Sequence, residues 1–365
     1  MIRMVQLGIN HPHARAYRET LALFPDRIEV VGFLARPGES REVGSPFADL
    51  PVYDSLDDLL NGVQFDAAQV MLRNNEMGPA LLKLADAGIH LWAEKPVARR
   101  TADLLPVAKA IHEKNLVFTA GYQSRFYPTT RLARQFVQDG TLGPLTFAHM
   151  TTATTTAELR RPDGPLGYLF DEEISGGGIF HWLGCHMVDL LLHISGARPD
   201  GVSALTATAG RAEIAVEDVA AVNLHFPDGW LASLNYGYLL PTGEPSPFGD
   251  DAPEPALYGQ QGWIRWNSAT DIARSYSTDQ RRADSPWRQD RFATPRTGGY
   301  GHAAYLAMQN FLDAIGGLDE PAYTIEEAIA VLAVIEAAYE SARTGAVHQV
   351  DWAALGLPEG ITAVR

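Results

Sequence analysis

The first third of the chain alternates short apolar runs with stretches of helical spacing. Ile2–Leu7 reads as a buried strand, and a turn with Gly8, Asn10 and Pro12 follows it. From 14 to 23, Ala14, Tyr17, Leu21 and Leu23 fall on one broad apolar face, which predicts a helix. Ile28–Leu34 is a continuous apolar run, β-branched at its start, of the kind that suits a parallel strand covered on both faces. Strands are predicted again at 67–72, 89–93 and 116–120, with helices at 79–87, closed by Gly88, and at 104–114. Repeated β-α-β units of this length predict a doubly wound parallel sheet.

Beyond about residue 122 the pattern changes. Leu145–Thr155 is Thr-rich with strand character, and one helix is predicted over 179–193. Strands follow at 202–209, 219–226 and 230–239, the last two joined by Pro227-Asp228-Gly229, a hairpin signal. A further strand surrounds Gly262 to Trp266, 241–255 reads as an exposed loop, and helices are expected at His302–Ile315 and 325–343. The expected architecture is an α/β domain over 1–122, then an α+β domain over 123–365 with an open, mainly antiparallel sheet.

Composition narrows the function classes. The 365 residues are 46% hydrophobic and 20% charged, ordinary for a chain that buries a real core. Net charge is −15, which argues against broad electrostatic binding of nucleic acid or an anionic membrane. The single cysteine, Cys185, excludes an intramolecular disulfide and fits a reducing cytoplasm, where it reads as a small buried residue. No signal-peptide core and no membrane-length apolar run is found, so a cytoplasmic protein is expected.

Candidate chemistry begins at the turn after the first strand. A dinucleotide-binding turn reads G-x-G-x-x-G. Here Gly8 holds the first glycine position, Asn10 the second and His13 the third, with His11 between. The His-x-His pair has no third ligand nearby, and no metal is expected. The second strand ends Leu34-Ala35-Arg36, so the acid that usually meets the ribose of NAD is absent at Ala35. Arg36 is open to two readings, a partner for the 2′-phosphate of NADP or a solvated loop residue. Glu94-Lys95-Pro96 follows the fourth predicted strand, where doubly wound folds bind ligands, and a lysine there can contact a nicotinamide ribose or a substrate hydroxyl.

Gly88-Ile89-His90-Leu91-Trp92-Ala93-Glu94-Lys95-Pro96 resembles the G-x-H-V-x-x-E-K-P signature of the glucose–fructose oxidoreductase and inositol dehydrogenase (Gfo/Idh/MocA) family. The resemblance continues at Gly121-Tyr122-Gln123-Ser124-Arg125-Phe126 with Pro128, at Gly176-Gly177-Gly178 with Gly184, His186 and Asp189, and from Phe311 to Ser341. It implies a Rossmann domain, a sheet-based substrate domain that often mediates homo-oligomers, NAD or NADP at their interface, and a small carbohydrate substrate. Carried over, Lys95 and His186 match the family's catalytic-site lysine and histidine. Asn74, Glu94 and Gln123 join the turn residues as cofactor candidates, and Tyr122, Arg125, Tyr168, His181 and Trp182 become substrate candidates. The family's aspartate, four residues before the histidine, is here Trp182, with His181 one residue earlier. That departure puts the usual proton relay in question, and Trp182 reads equally as a wall for a sugar ring or as core.

On the predicted helix, His186, Asp189 and His193 share a face at i, i+3 and i+7, and a carboxylate one turn on can hold a histidine's tautomer. Arg274, Arg281, Arg282, Arg288, Arg291 and Arg296 crowd one region, with Arg160 and Arg161 elsewhere. They read either as a receptor for an anionic substituent or as loop residues paired with Asp and Glu; Tyr168 and Trp287 stand near them in sequence as sugar-stacking candidates. Three functions follow as expectations. One is hydride transfer between nicotinamide and a ring carbon of a sugar, glycoside or polyol. A second is redox-neutral, NAD-dependent glycoside hydrolysis by C3 oxidation, elimination, water addition and re-reduction, with an anionic glycoside such as a sulfoquinovoside as one substrate. The third is a catalytically silent binding or scaffold protein, motivated by the altered glycine turn.

Overall fold

The computed structural model describes residues 1–155, 166–210, 214–240, 254–279 and 285–357. They form two compact units, Met1–Phe126 with Pro295–Ile329, and Tyr127–Thr294 with Ala330–Arg365.

The first unit runs β1 (Ile2–Leu7), α1 (Ala14–Leu21), β2 (Ile28–Leu34), β3 (Val52–Tyr53), α2 (Leu56–Gly62), β4 (Ala67–Val70), α3 (Asn74–Asp86), β5 (His90–Ala93), α4 (Thr101–Lys114) and β6 (Phe118–Ala120). All strands are parallel, in the order β3-β2-β1-β4-β5-β6. The order reverses between β1 and β4, the switch point at which such sheets bind ligands beyond their carboxyl ends. β4 and β5 are buried almost throughout, as expected of strands covered on both faces. α3 begins five residues before the expected start, with Pro79 inside it rather than at its first turn.

In the second unit come α5 (Pro128–Gln138), β7 (Leu145–Thr155), α6 (Glu172–Ser175), a π-helical turn over Phe180–Gly184, α7 (Cys185–Ser195), β8 (Gly201–Ala207), β9 (Val219–His225), β10 (Leu231–Leu240), β11 (Ala256–Gly259), β12 (Gly262–Asn267), β13 (Ile272–Ser277) and β14 (Trp287–Arg291). The chain then returns to the first unit with α8 (His302–Ile315); α9 (Ile325–Thr344) begins there and continues into the second unit, which also holds β15 (His348–Gln349). The second sheet has nine strands, ordered β14-β13-β12-β11-β7-β10-β9-β8-β15. Every neighbouring pair is antiparallel except β7 with β10.

The return of Pro295–Ile329 differs from the linear division expected at residue 122, and its physical reason is apolar. Ala307, Met308, Phe311 and Leu312 of α8 share one core with Met4, Tyr17, Leu21, Met71 and Trp92. Trp92 is fully buried, edge-on to Phe311 at 5.8 Å between ring centres. Most of the expected 241–255 loop, and Arg160, Arg161, Arg281 and Arg282, lie outside the described residues. Among the described residues no helix is long and apolar enough to cross a membrane, and no group of three or more His, Cys, Asp or Glu is placed to hold a metal ion.

Candidate functional site

In the first unit the candidate residues collect at the carboxyl ends of β1, β2 and β5. Gly8 has φ of +81°, and a Cβ there would lie 1.9 Å from the Met71 carbonyl oxygen just past β4. Only glycine fits so tight a turn. The turn is closed by the His11 amide donating to the Gly8 carbonyl and the Ala14 amide donating to that of His11, which leads into α1. Asn10, in the second glycine position, does not crowd the turn, because its amide is drawn aside to the Ser40 carbonyl (2.8 Å) and Glu39 Oε2 (3.3 Å).

His13 takes the third glycine position by putting its ring to use. Its Nδ1 lies 3.0 Å from Glu94 Oε1, and its face meets Tyr300, which stacks on Tyr17. Glu94 is buried at the end of β5, and among the described residues its Oε2 has no hydrogen-bond partner. Burial works to raise its pKa, but the charge and hydrogen bond of His13, then His11 and Lys95, outweigh this and pull it down to about 2. A buried carboxylate with one oxygen unspent suits a ribose or amide donor. With the Gly8 cradle, these residues fit a dinucleotide.

His11 is held neutral. Burial, reinforced by His13 and Lys95 against the pull of Glu94, brings its pKa to about 3, and its Nδ1 accepts from the His13 amide. This has a consequence for stability. The unfolded chain protonates His11 below its ordinary 6.5, whereas the folded chain does so only near 3. The unfolded state therefore binds the extra proton in that window, and stability falls with pH by up to about 1.4 kcal/mol per unit. Glu94 acts in the same sense at lower pH: its contribution is complete above 4.5 and is lost as the pH falls towards 2. The urea midpoint should drop between pH 7.5 and pH 5 by on the order of 1–2 kcal/mol in stability, and His11→Asn should remove most of the drop. An equal drop in both proteins would show that His11 is not its source.

Lys95 follows Glu94 directly and is 4% exposed. Ala35 is buried with Ile9 and Phe33. Arg36 is half-buried: its Nε and Nη2 make a two-pronged contact with Glu76 (2.8–2.9 Å), and its Nη1 donates to Glu39 (2.9 Å). Asn74 opens α3, buried, and Gln123 Oε1 accepts from the Tyr17 hydroxyl. Arg125 is buried and braces the unit internally. It donates to Glu327 (2.6 Å) and the Ala322 carbonyl (3.0 Å), and it lies over Tyr323, on which Tyr122 stacks.

In the second unit the glycine run leads into the π turn and α7. A Cβ at Gly178 would lie 2.0 Å from the Glu217 carbonyl oxygen, and one at Gly177, with φ of +153°, 2.2 Å from the Tyr339 hydroxyl. Glu217 accepts from the amides of Gly178 (2.8 Å) and Phe180 (3.0 Å) and from the Tyr339 hydroxyl (2.8 Å), which itself accepts from the His181 amide. Burial raises the Glu217 pKa against these bonds, and burial with the Glu217 charge raises Tyr339 well above its ordinary value. This carboxylate–phenol clamp fixes the turn that carries His181 and Trp182. Single-turn π segments recur at functional sites.

His181 is buried, and His186, half-buried, is the second residue of α7. Trp182 belongs to an apolar cluster with Leu169, Phe170 and Val216, against which Tyr168 packs. Asp189 is fully buried, and His193 meets Arg134 of α5 at 2.8 Å rather than extending a polar face. Cys185 is buried. Arg274 is paired with Glu254 and Gln289, the ordinary reading of that arginine stretch. Trp287 stands exposed on edge strand β14 beside Trp263 and Tyr276.

The sequence reading missed Tyr300, Glu39, Glu76 and Glu217. None carries a local signal, since each acts on a partner far along the chain or on an unremarkable loop. Tyr339 did lie within a run that resembled the family.

Comparison with known proteins shows the family. Residues 4–122 match the family model described as "Oxidoreductase family, NAD-binding Rossmann fold", and residues 130–265 match "GFO/IDH/MocA C-terminal domain". A 2,7-anhydro-N-acetylneuraminate hydratase of Mediterraneibacter gnavus is 27% identical over 192 residues, 52% of this chain and 50% of that protein. The D-xylose 1-dehydrogenase (NADP(+)) 2 of Haloferax volcanii is 24% identical over 313 residues, 85% of this chain and 87% of that protein. The chain thus spans about half the length of the hydratase and 57% of an uncharacterized oxidoreductase of Streptococcus pneumoniae. In fold it is similar to the crystal structure of the WlbA dehydrogenase from Bordetella pertussis in complex with NADH and UDP-GlcNAcA, with a TM-score of 0.79, 23% identity, and coverage of 95% of this chain and 97% of that one.

Proposed function

Because the chain belongs to the Gfo/Idh/MocA family of oxidoreductases, we propose that it moves a hydride between a bound nicotinamide dinucleotide and a ring carbon of a sugar, glycoside or polyol. The observation that carries this reading is Lys95, buried at the carboxyl end of β5 beside a carboxylate with a free oxygen, in the unit built on the Gly8 turn. Gly8, Asn10, His11, His13, Asn74, Glu94 and Gln123 hold the dinucleotide, and Ala35 and Arg36 stand at its adenosine end. When bound, the dinucleotide supplies the redox chemistry. As the neutral amine, Lys95 takes the proton of the substrate hydroxyl on oxidation, and as the ammonium so formed it donates to the carbonyl oxygen and returns the proton on reduction; His186 is the second proton-handling group. Glu94 acts on Lys95 by charge and on the ribose by hydrogen bonding. Tyr122, Tyr168, His181 and Trp182 shape the carbohydrate pocket, and Arg125 supports it through its neighbours. The protein works in the cytoplasm as a homo-oligomer, a dimer or tetramer.

Trp182 favours a second reading. It occupies the place of the family's relay aspartate and is buried among apolar residues, so no carboxylate stands there to complete the usual relay. Relatives include anhydro-sugar hydratases. A redox-neutral cycle, in which oxidation, elimination or water addition and re-reduction leave the dinucleotide unchanged, fits that substitution.

The test is to denature the purified protein, identify any released dinucleotide by mass spectrometry, and challenge the loaded protein with a panel of sugars, glycosides and anhydro-sugars. NADH accumulating with substrate supports the dehydrogenase. Product without NADH supports the redox-neutral cycle. Failure of the stripped protein to bind NAD⁺ or NADP⁺ at all removes both and leaves a silent scaffold.

A further inference from the structure

We propose that Glu39 and Glu76, by holding the Arg36 guanidinium between them, make this protein select NAD, with its free adenosine ribose 2′-hydroxyl, over 2′-phosphorylated NADP. This rests on the dinucleotide reading above and adds to it which of the two cofactors is taken.

In a Rossmann fold the residue at the end of β2 meets the adenosine ribose: an acid there accepts a hydrogen bond from the 2′-hydroxyl, and an arginine nearby receives a 2′-phosphate. Here the acid's place is Ala35 and an arginine follows, which by itself leaves a 2′-phosphate partner and a solvated loop residue both open. The contacts of Arg36 bear on that choice. Its Nε and Nη2 are spent on the two oxygens of Glu76 at 2.9 and 2.8 Å, the fork-on-fork geometry that makes arginine–carboxylate pairs strong. Its Nη1 donates to Glu39 Oε1 at 2.9 Å, so that three of the five N–H groups of the fork are engaged by the two carboxylates. All three side chains are partly shielded from solvent, so the pairs are screened less than surface ones.

The three side chains together carry one positive and two negative charges. A 2′-phosphate, bringing about 1.5–2 further negative charges, would meet Arg36 only through the N–H groups that Glu39 and Glu76 leave over and would sit beside both carboxylates, or would have to displace one of them. A 2′-hydroxyl meets no such conflict, because each carboxylate oxygen has lone pairs beyond those given to Arg36 and can accept from it. The arrangement is anchored from both sides. Asn10 donates to Glu39 Oε2 and to the Ser40 carbonyl, tying the loop after β2 to the turn after β1, while Glu76 is fixed in the first turn of α3. The nearest other arginine in that loop, Arg41, is paired with Asp54. Asn10, which holds the second glycine position of the turn, thereby acquires a role in holding this device.

Nucleotide-stripped protein titrated calorimetrically with NAD⁺ and with NADP⁺ tests the proposal. NAD⁺ should bind at least about tenfold more tightly. In the Glu39→Gln/Glu76→Gln double variant Arg36 is released, and the NAD⁺/NADP⁺ affinity ratio should fall by about tenfold or more, chiefly through tighter NADP⁺. Circular dichroism and the melting midpoint establish that the variant folds; if it does not, Glu76→Gln alone should lower the ratio by about threefold. A merely structural loss would weaken both nucleotides alike and leave the ratio where it was. Wild-type protein that binds NADP⁺ as tightly as NAD⁺, or a folded variant with an unchanged ratio, overturns the proposal while leaving the proposed function standing. Binding of neither nucleotide overturns both.

Discussion

Replacing Lys95 with methionine should lower turnover by about a hundred- to ten-thousand-fold, the range that a positioned proton donor or acceptor contributes. Methionine matches the length of the lysine stem and is at ease at a position 4% exposed, so the fold is expected to survive. Dinucleotide affinity should change by only about threefold, because an interaction realised chiefly in the transition state is lost from kcat rather than from binding. Single-turnover rates and calorimetric Kd values separate the two effects. Under a redox-neutral cycle the same loss must appear in product formation with no NADH to follow, so the assay has to read the sugar. Unimpaired turnover would remove Lys95 from the chemistry and leave the reading of the β5 terminus without its main support.

The second large effect is expected at Gly8. An alanine there meets two separate penalties. Its backbone would be held at φ of +81°, costing an L-residue about 1–2 kcal/mol, and its Cβ would collide with the Met71 carbonyl at 1.9 Å, forcing β1 and β4 apart at a further cost of about 1–3 kcal/mol. The sum, roughly 2–5 kcal/mol, is large against the margin by which domains are stable. Gly38 provides the control: its φ is +82°, but nothing lies within 4 Å of the added atom, so Gly38→Ala incurs the backbone term alone. Gly8→Ala should therefore show a much lower urea midpoint than Gly38→Ala and lose dinucleotide affinity, with Gly38→Ala retaining it. Equal midpoints for the two variants would show that the close approach of β1 and β4 at this turn is not needed.

Much of the first sheet was legible because short, largely apolar runs stand between stretches of helical spacing. Ile2–Leu7 and Ile28–Leu34 appear as read, and the hairpin across Pro227-Asp228-Gly229 joins β9 to β10. Where the reading slipped, a competing signal or a weak one was responsible. Pro79 resembles a helix start, but the preceding turn of α3 accommodates it and the helix begins at Asn74. β14 is largely exposed and rich in Arg, so it lacks the alternation of a half-buried strand. α5 went unread in a segment dominated by polar side chains.

The candidate site divides in the same way. Gly8, Glu94 and Lys95 announce themselves through local motifs. The pair His13–Glu94 joins residues 81 positions apart, and Arg36–Glu76 joins residues 40 apart. Such contacts are set by strand order, so an unusual residue in a turn looked like decay when it was half of a pair.

The return of α8 to the first unit also bears on how the protein is made. Trp92 and Tyr17 face a core whose other wall, Met308, Phe311 and Leu312, is synthesised only after the intervening segment Tyr127–Thr294. At roughly 5–20 residues per second, α8 follows the end of the first segment by about ten to thirty-five seconds. Throughout that interval the nascent nucleotide domain presents an uncovered apolar face, a natural client for a chaperone. Completion of its core has to wait until the segment of the second unit that interrupts it has been made.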